Sequence, residues 1–312
     1  MSYCYIFGPV PSRRLGRSLG VDLVQHKTCS FNCVYCECGK TTLLTNERAE
    51  YVPTNEVLAE LDQFLSTNPA LDYVTFSGAG EPTLHIGLGK IVNFLKTNFS
   101  QYRIALLTNG SLFYKKSLRE EVDNIDLILP SLDAVDEKIF HRINRPHHDI
   151  KIKKIILGLV ELKKIQKGKM WLEIFIIPGL NDSHDHIEKL KDAIHQIKPD
   201  LVQLNSLDRP GAENWVAGAT QEKLEMIAAK LDWRTEIIAK FPDRKKSKAY
   251  HENIEASILE LIKRRPCTLA DLSQMTGLHV NEVNKYLDVL MKTGQVQSRE
   301  MERGLFFWAE VS

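Results

Sequence analysis

Between residues 20 and 210 the chain repeats one pattern: a short apolar or β-branched run, a polar turn rich in glycine, then a segment whose apolar residues recur three and four apart. Runs of the first kind cover residues 21–24, 73–76, 104–107, 125–129, 172–177 and 201–204. They lack strict alternation, as strands buried on both faces of a parallel sheet do. Helical spacing marks the intervening segments, as over 56–65. It recurs where Ile187, Leu190, Ile194 and Ile197 follow the capping candidates Asp182 and Ser183. Such βα alternation with right-handed crossovers predicts an α/β fold of six parallel strands, as a barrel or a doubly wound sheet. Periodicity alone does not choose between them.

Beyond residue 231 the pattern changes. Residues 232–250, with the run Arg244-Lys245-Lys246-Ser247-Lys248, read as a basic connector. Ile254, Ile258, Leu261 and Ile262 then share a helix face, Thr268 and Asp271 form a capping box, and Thr276-Gly277 makes a turn. Val280, Val283, Leu287 and Leu290 line a third helix, and residues 295–299 and 305–310 form a hairpin around Gly304. This order predicts a small C-terminal winged helix-turn-helix domain. The expected division is thus 1–231, 232–250 and 251–312. Residues 251–312 hold seven Lys and Arg against nine Asp and Glu, with Glu282 and Asp288 facing Lys285 and Lys292 on the third helix. That balance favours protein contact or substrate presentation over phosphate binding, and confines RNA contact to the edge formed by 244–248 and 263–265.

A length of 312 residues, 43% hydrophobic and 26% charged with a formal net charge of +1, is that of an ordinary globular chain of one large and one small domain. No apolar run is long enough to suggest a membrane span and the amino terminus has no leader pattern, so a cytoplasmic protein is expected. Of six cysteines, Cys4 and Cys267 stand alone and are expected to be buried as small hydrophobes.

Cys29, Cys33 and Cys36 share the loop Thr28-Cys29-Ser30-Phe31-Asn32-Cys33-Val34-Tyr35-Cys36. A structural zinc is closed by four ligands, whereas an iron–sulfur cube held by three thiolates leaves one iron open to a small molecule. Cys38 offers zinc a fourth sulfur, but only if one continuous loop encloses the ion. Polar turns follow the other runs: Ser77 to Glu81, Thr108 to Gly110, Ser131 to Asp133, Gly179 to Asp182 and Asn205 to Arg209. In parallel α/β folds these ends share the ligand-binding rim. In Gly78-Ala79-Gly80-Glu81-Pro82, Gly78 and Gly80 allow backbone to approach a ligand, and Glu81 shapes the turn or its charge; an ordinary βα turn is the plain alternative. Ser131 and Asp133 can bind hydroxyls, or Asp133 can cap a helix starting near Val135. Asn109 belongs to the same rim or to a simple Asn-Gly turn, and Asn205 is a weaker member. Pro11 to Arg17 and Phe140 to His148 supply arginines suited to phosphate or carboxylate, or to ion pairs. His184, His186 and His195 read as surface residues of an amphipathic helix.

The cysteine spacing, with Tyr35 before the third cysteine, resembles that of the radical S-adenosylmethionine (SAM) enzymes. Phe7-Gly8-Pro9-Val10-Pro11-Ser12-Arg13-Arg14-Leu15-Gly16 and Ser77 to Leu84 look like the branch grouped with the tRNA wyosine synthases. Those synthases carry further amino-terminal cysteines for a second cluster, and only Cys4 precedes the loop here. The resemblance implies a partial (β/α)6 barrel, and a [4Fe-4S] cluster on Cys29, Cys33 and Cys36 whose open iron chelates S-adenosylmethionine. Tyr35, Gly78, Gly80, Glu81, Asn109, Ser131 and Asp133 then fall at cofactor-binding positions, with the methionine amino group at the glycine turn and the ribose at Ser131 and Asp133. It implies reductive cleavage of S-adenosylmethionine to a 5′-deoxyadenosyl radical, fed by an external donor of flavodoxin or ferredoxin type. Hydrogen abstraction follows, from a large substrate, RNA or polypeptide, admitted by the unclosed barrel. The alternative is a non-enzymatic zinc or iron–sulfur regulator acting through the winged helix.

Overall fold

The opening segment holds two prolines and reads poorly as a strand, yet in a computed structural model Ile6–Ser12 is β1, an antiparallel edge strand on Gly16–Val21, β2. An edge position tolerates proline because one side of the strand needs no ladder donor. The structure describes residues 3–12, 14–25, 27–207, 211–238, 254–278, 280–301 and 303–309. The first parallel strand is therefore β2, sharing only Val21 with the expected 21–24. Gly16, Gly20 and polar neighbours hide it, and Gly20 lacks a side chain because the Phe7 ring lies where its Cβ would stand.

Thr28–Cys29 (β3) and Leu43–Leu44 (β4) make a small parallel pair in the loop after β2. The large sheet continues through Tyr73–Phe76 (β5), Arg103–Thr108 (β6), Leu127–Pro130 (β7), Lys169–Phe175 (β8), Leu201–Asn205 (β9) and Thr235–Ile237 (β10), each parallel to the last. Five of the six expected parallel strands thus stand where they were read, and β10 adds a short one. Thr54–Leu65 (α1), Leu88–Asn98 (α2), Lys116–Glu121 (α3), Glu137–Ile143 (α4), Ile152–Ile165 (α5), His184–Ile197 (α6) and Gln221–Leu231 (α7) fill the crossovers. Spatial order is β1-β2-β5-β6-β7-β8-β9-β10, rising without reversal. A doubly wound sheet needs a reversal, so every crossover here advances the same way, as in an arc. One apolar core, with Leu19, Val74, Phe76, Leu106, Ile128 and Leu172 buried, lies between strands and helices.

Ile254–Arg264 (α8), Cys267–Thr268 (β11), Leu269–Thr276 (α9), Val280–Lys292 (α10), Gln297–Met301 (β12) and Gly304–Trp308 (β13) form a second unit with its own core of Ile258, Leu261, Ile262, Leu272, Val283, Leu287 and Leu290. The Thr268/Asp271 capping box is present, Gly277 ends α9 in the left-handed conformation, and the three strands form an antiparallel sheet ordered β11-β13-β12. Val10 of β1 packs against this core. Arg264 stacks on the Phe7 ring at 4.0 Å and pairs with Asp22 at 2.9 Å. The basic run Arg244 to Lys248 lies outside the described residues, as do Arg13, Arg209 and the side chains of Glu282 and Lys285. Two burial expectations are overturned. Cys4 is exposed, its backbone N–H donating to Glu60, while Cys267 is buried as read. His186, in contrast, is 1% exposed, because the first turn of α6 packs against Asp136, whose carboxylate lies 3.4 Å from the ring. Among the described residues no helix is long and apolar enough to cross a membrane.

Candidate active site

The cysteine loop leaves β3 at Cys29 and is held in place by a segment more than a hundred residues away. Asn32 N–H donates to the Asn144 carbonyl at 3.0 Å, Val34 N–H to Ile143 at 2.9 Å, and His147 N–H returns to Ser30 at 2.9 Å. The loop's backbone is thus fixed as if it were a strand. Cys29 is buried, Cys33 and Cys36 are half-buried, and none of the six cysteines is in a disulfide. Asn109 Nδ2 donates to Cys29 Sγ at 3.6 Å and to Ser30 Oγ at 2.8 Å, and Asn144 Nδ2 approaches Cys33 Sγ at 3.5 Å.

Lys27, 3% exposed, places its ammonium among these sulfurs. Burial pulls its pKa down, but the charges of Cys36, Cys29 and Cys38 and a hydrogen bond to Cys36 outweigh that and raise it. Burial lifts the Cys29 thiol to about 11 against the pull of Lys27, and lifts Cys33 as well. Cys36 moves the other way, held below the usual thiol range by a hydrogen bond from Cys38 and, against burial, by Lys27; Cys38 keeps the proton and is raised. Cys38 Sγ also lies 3.7 Å from the Gly78 carbonyl, which ties the end of the loop to the glycine turn.

That turn is seated by contacts that glycine alone permits. A Cβ on Gly80 would overlap the Thr28 carbonyl, and one on Gly78 the Asp22 carboxylate. Asp22 in turn accepts from Ala79 N–H at 3.1 Å. Glu81 is 2% exposed and accepts from Thr83 N–H and Oγ1, from Thr108 Oγ1 at 2.7 Å and from Asn109 N–H at 2.7 Å. Burial raises its pKa although all four donors oppose this. Glu81 therefore locks the β5 turn to the β6 turn with both carboxylate oxygens engaged inside the protein.

Asp133, 2% exposed, does the same for the next two turns. It accepts from Tyr35 Oη at 2.6 Å, Asn144 Nδ2 at 2.7 Å and Phe175 N–H at 2.8 Å, and burial lifts its pKa to about 6. Tyr35 stacks on Phe175 with centroids 3.9 Å apart. The capping alternative for Asp133 fails, since Asp136 caps α4 through Ile139 N–H. Half-buried Ser131 bridges β6 and β8 through its backbone, donating to the Thr108 carbonyl. Asn181 Nδ2 joins the same group by donating to the Asp133 and Phe175 carbonyls, and Asn205 sits buried at the end of β9.

Two of these arginines form ion pairs. Arg14 pairs with Glu173, and Arg145 with Glu213 at 2.6 Å. His147, His148 and Asp149 offer ligand atoms within 4.8 Å of one another, with His148 and Asp149 exposed. Lys27, Asn144 and Phe175 escaped the sequence reading. Lys27 carried a signal, a cation two residues before the first cysteine, whereas Asn144 and Phe175 are distant in sequence and join the site only through the fold.

The model of the radical SAM superfamily matches residues 24–191, more than half the chain. The UPF0026 protein of Methanocaldococcus jannaschii is 31% identical over 98% of this chain and 96% of its own length. A protein named GTPase Obg from Brachyspira hyodysenteriae is 33% identical over 97% of this chain, which spans only 45% of that relative. A solved radical SAM methyltransferase from Sphaerobacter thermophilus shares the fold at a TM-score of 0.56 and 18% identity, over 70% of this chain and 66% of its own. On the family match this chain belongs to the radical SAM superfamily, whose members are enzymes that bind a [4Fe-4S] cluster and S-adenosylmethionine.

Proposed function

We propose that this protein holds its cluster on Cys29, Cys33 and Cys36, cleaves S-adenosylmethionine reductively to a 5′-deoxyadenosyl radical, and abstracts hydrogen from a macromolecular substrate. The observation that carries the reading is Lys27. A buried ammonium is costly unless paired, and the partners around this one are sulfurs, so the site suits cysteines that are anionic when loaded. Two of those sulfurs, Cys29 and Cys36, share one loop with Cys33, and three thiolates so placed fit a cube with an open corner. When bound, the cluster supplies the electron that splits the sulfonium, drawn from a flavodoxin- or ferredoxin-type donor.

The chain's own residues bind and orient. Gly78 and Gly80 bring backbone to the methionine end, and Glu81 keeps that backbone rigid. Tyr35, Asn109, Ser131 and Asp133 bound the nucleoside end, where Asp133 acts chiefly by fixing Tyr35 and the 133–144 backbone. The reading extends to a partial (β/α)6 barrel over 1–231, with β10 carrying its sheet on to Ile237, a connector over what remains of 232–250, a winged helix-turn-helix unit over 251–312, kinship with the wyosine-synthase-like branch and a cytoplasmic setting. The helix–strand–helix–helix–strand–strand order supports the winged unit, and three cysteines clustered at metal-ligand spacing support a reducing compartment.

Protein reconstituted without air should be brown, hold about four irons and four sulfides, and with dithionite convert S-adenosylmethionine to 5′-deoxyadenosine. Cys33→Ala should abolish that conversion. Colourless protein with one tightly held zinc, or undiminished conversion by the variant, would overturn the reading.

A further inference from the structure

Where the cysteine loop ends, a cleft of about 560 Å³ opens between the barrel and the C-terminal unit. Glu37, Cys38, Gly39 and Lys40 form one wall, so the cleft begins at the residue after Cys36. The facing wall is one surface of the β12–β13 ladder. Gln297 and Arg299 alternate onto the same face of β12, Trp308 lies directly across from Gln297, and the intervening Phe307 turns into the core. Lys263, in the last turn of α8, and Arg265, just after it, close one end.

The charges are segregated. Residues 251–312 are acidic on balance, yet the side chains lining this cleft include Lys40, Lys263, Arg265 and Arg299 against one carboxylate, Glu37. Lys263 pairs with Glu260 at 3.0 Å and Lys40 lies 3.7 Å from Glu213, whereas Arg299 donates to a neutral amide, Asn214 Oδ1, at 2.8 Å. Asp271, the buried acid of this unit, is engaged by its capping box and by Arg303. Guanidinium forks beside an aromatic face suit a ligand with both an anionic oxygen group and a flat ring. The volume falls within the roughly 300–1,000 Å³ of small-molecule sites.

We propose that this cleft is the substrate-recognition site and that it takes a nucleoside phosphate, free or as one unit of an RNA strand, with the phosphate at Arg265 and Arg299 and the base on Trp308. The assignment rests on the reading that the cysteine loop is the reaction centre, since the cleft's value as a substrate site is its opening beside that loop.

The test uses the reconstituted full-length chain and a fluorescent single-stranded RNA of about ten nucleotides, read by anisotropy, with nucleoside monophosphates and a poly-glutamate peptide as competitors. Trp308→Ala should weaken binding by about tenfold or more. The Arg265→Ala/Arg299→Ala pair should weaken it similarly and flatten its salt dependence. Both variants should make 5′-deoxyadenosine from S-adenosylmethionine at the wild-type rate, which also reports that they fold. Monophosphates competing as well as unlabelled RNA would identify a free nucleotide as the source, and competition by RNA alone would identify a strand. Affinity unchanged in both variants, or displacement by poly-glutamate as effective as by RNA, would overturn the proposal. Wild-type protein that binds the probe but makes no 5′-deoxyadenosine would instead sink the reading of the cysteine loop.

Discussion

Asp133 receives three hydrogen bonds on its two oxygens and still has its pKa lifted to about 6, because burial of a carboxylate outweighs what Tyr35, Asn144 and Phe175 return. The folded chain therefore keeps this proton to higher pH than the unfolded chain. Its contribution to stability is complete below the unfolded value near 4 and is lost as pH rises through about 6. Urea unfolding of metal-free protein should show wild type losing roughly 2–3 kcal/mol more than Asp133→Asn between pH 4 and pH 7. Equal slopes would show that Asp133 is not so perturbed. At this scale residue types were legible and roles were not. Asp133 and Glu81 are found by position, but a sequence does not tell whether a carboxylate's oxygens point at a ligand or, as here, at backbone and side-chain donors from neighbouring turns.

The glycine turn after β5 and the cysteine loop after β2 act as one element, because Gly80 sits against the Thr28 carbonyl and Glu81 N–H donates to that same carbonyl at 3.1 Å. Gly80→Ala forces backbone against backbone, with no flexible side chain to yield. It should lower the unfolding free energy of the metal-free protein by about 1–3 kcal/mol and leave the purified protein short of iron, measured by denaturation and metal analysis. Full iron content in this variant would show the two loops to be independent. The five polar turns were legible because each follows an apolar run of strand length. Strand β2 was not, since its glycines and polar residues deny it the signature of a strand, and its place is set by pairing with β1 and β5 on either side.

Across the whole molecule, Arg264 reaches from the end of α8 to Asp22, which also accepts from Ala79 N–H in the glycine turn. The C-terminal unit thus touches the candidate cofactor site through one carboxylate. Arg264→Ala strands that carboxylate in a mostly buried place and should cost roughly 2–4 kcal/mol, with Asp22→Asn restoring part of the loss in the double variant. Thermal unfolding of the four proteins would measure it, and additive losses would show the pair to be uncoupled. This link was illegible in the sequence because 242 residues separate its partners. The succession of strands was legible, and the unreversed order that makes it an arc emerged only from pairing. The stitching of the cysteine loop to residues 143–147 bears on how the enzyme matures. A nascent chain presents Cys29, Cys33 and Cys36 to the cell well before the segment that shapes their loop has left the ribosome. On the proposed ligand set, iron delivered during translation would meet three thiols on a formless stretch of chain, so productive loading must wait until the first half of the polypeptide has been synthesised and has closed on itself.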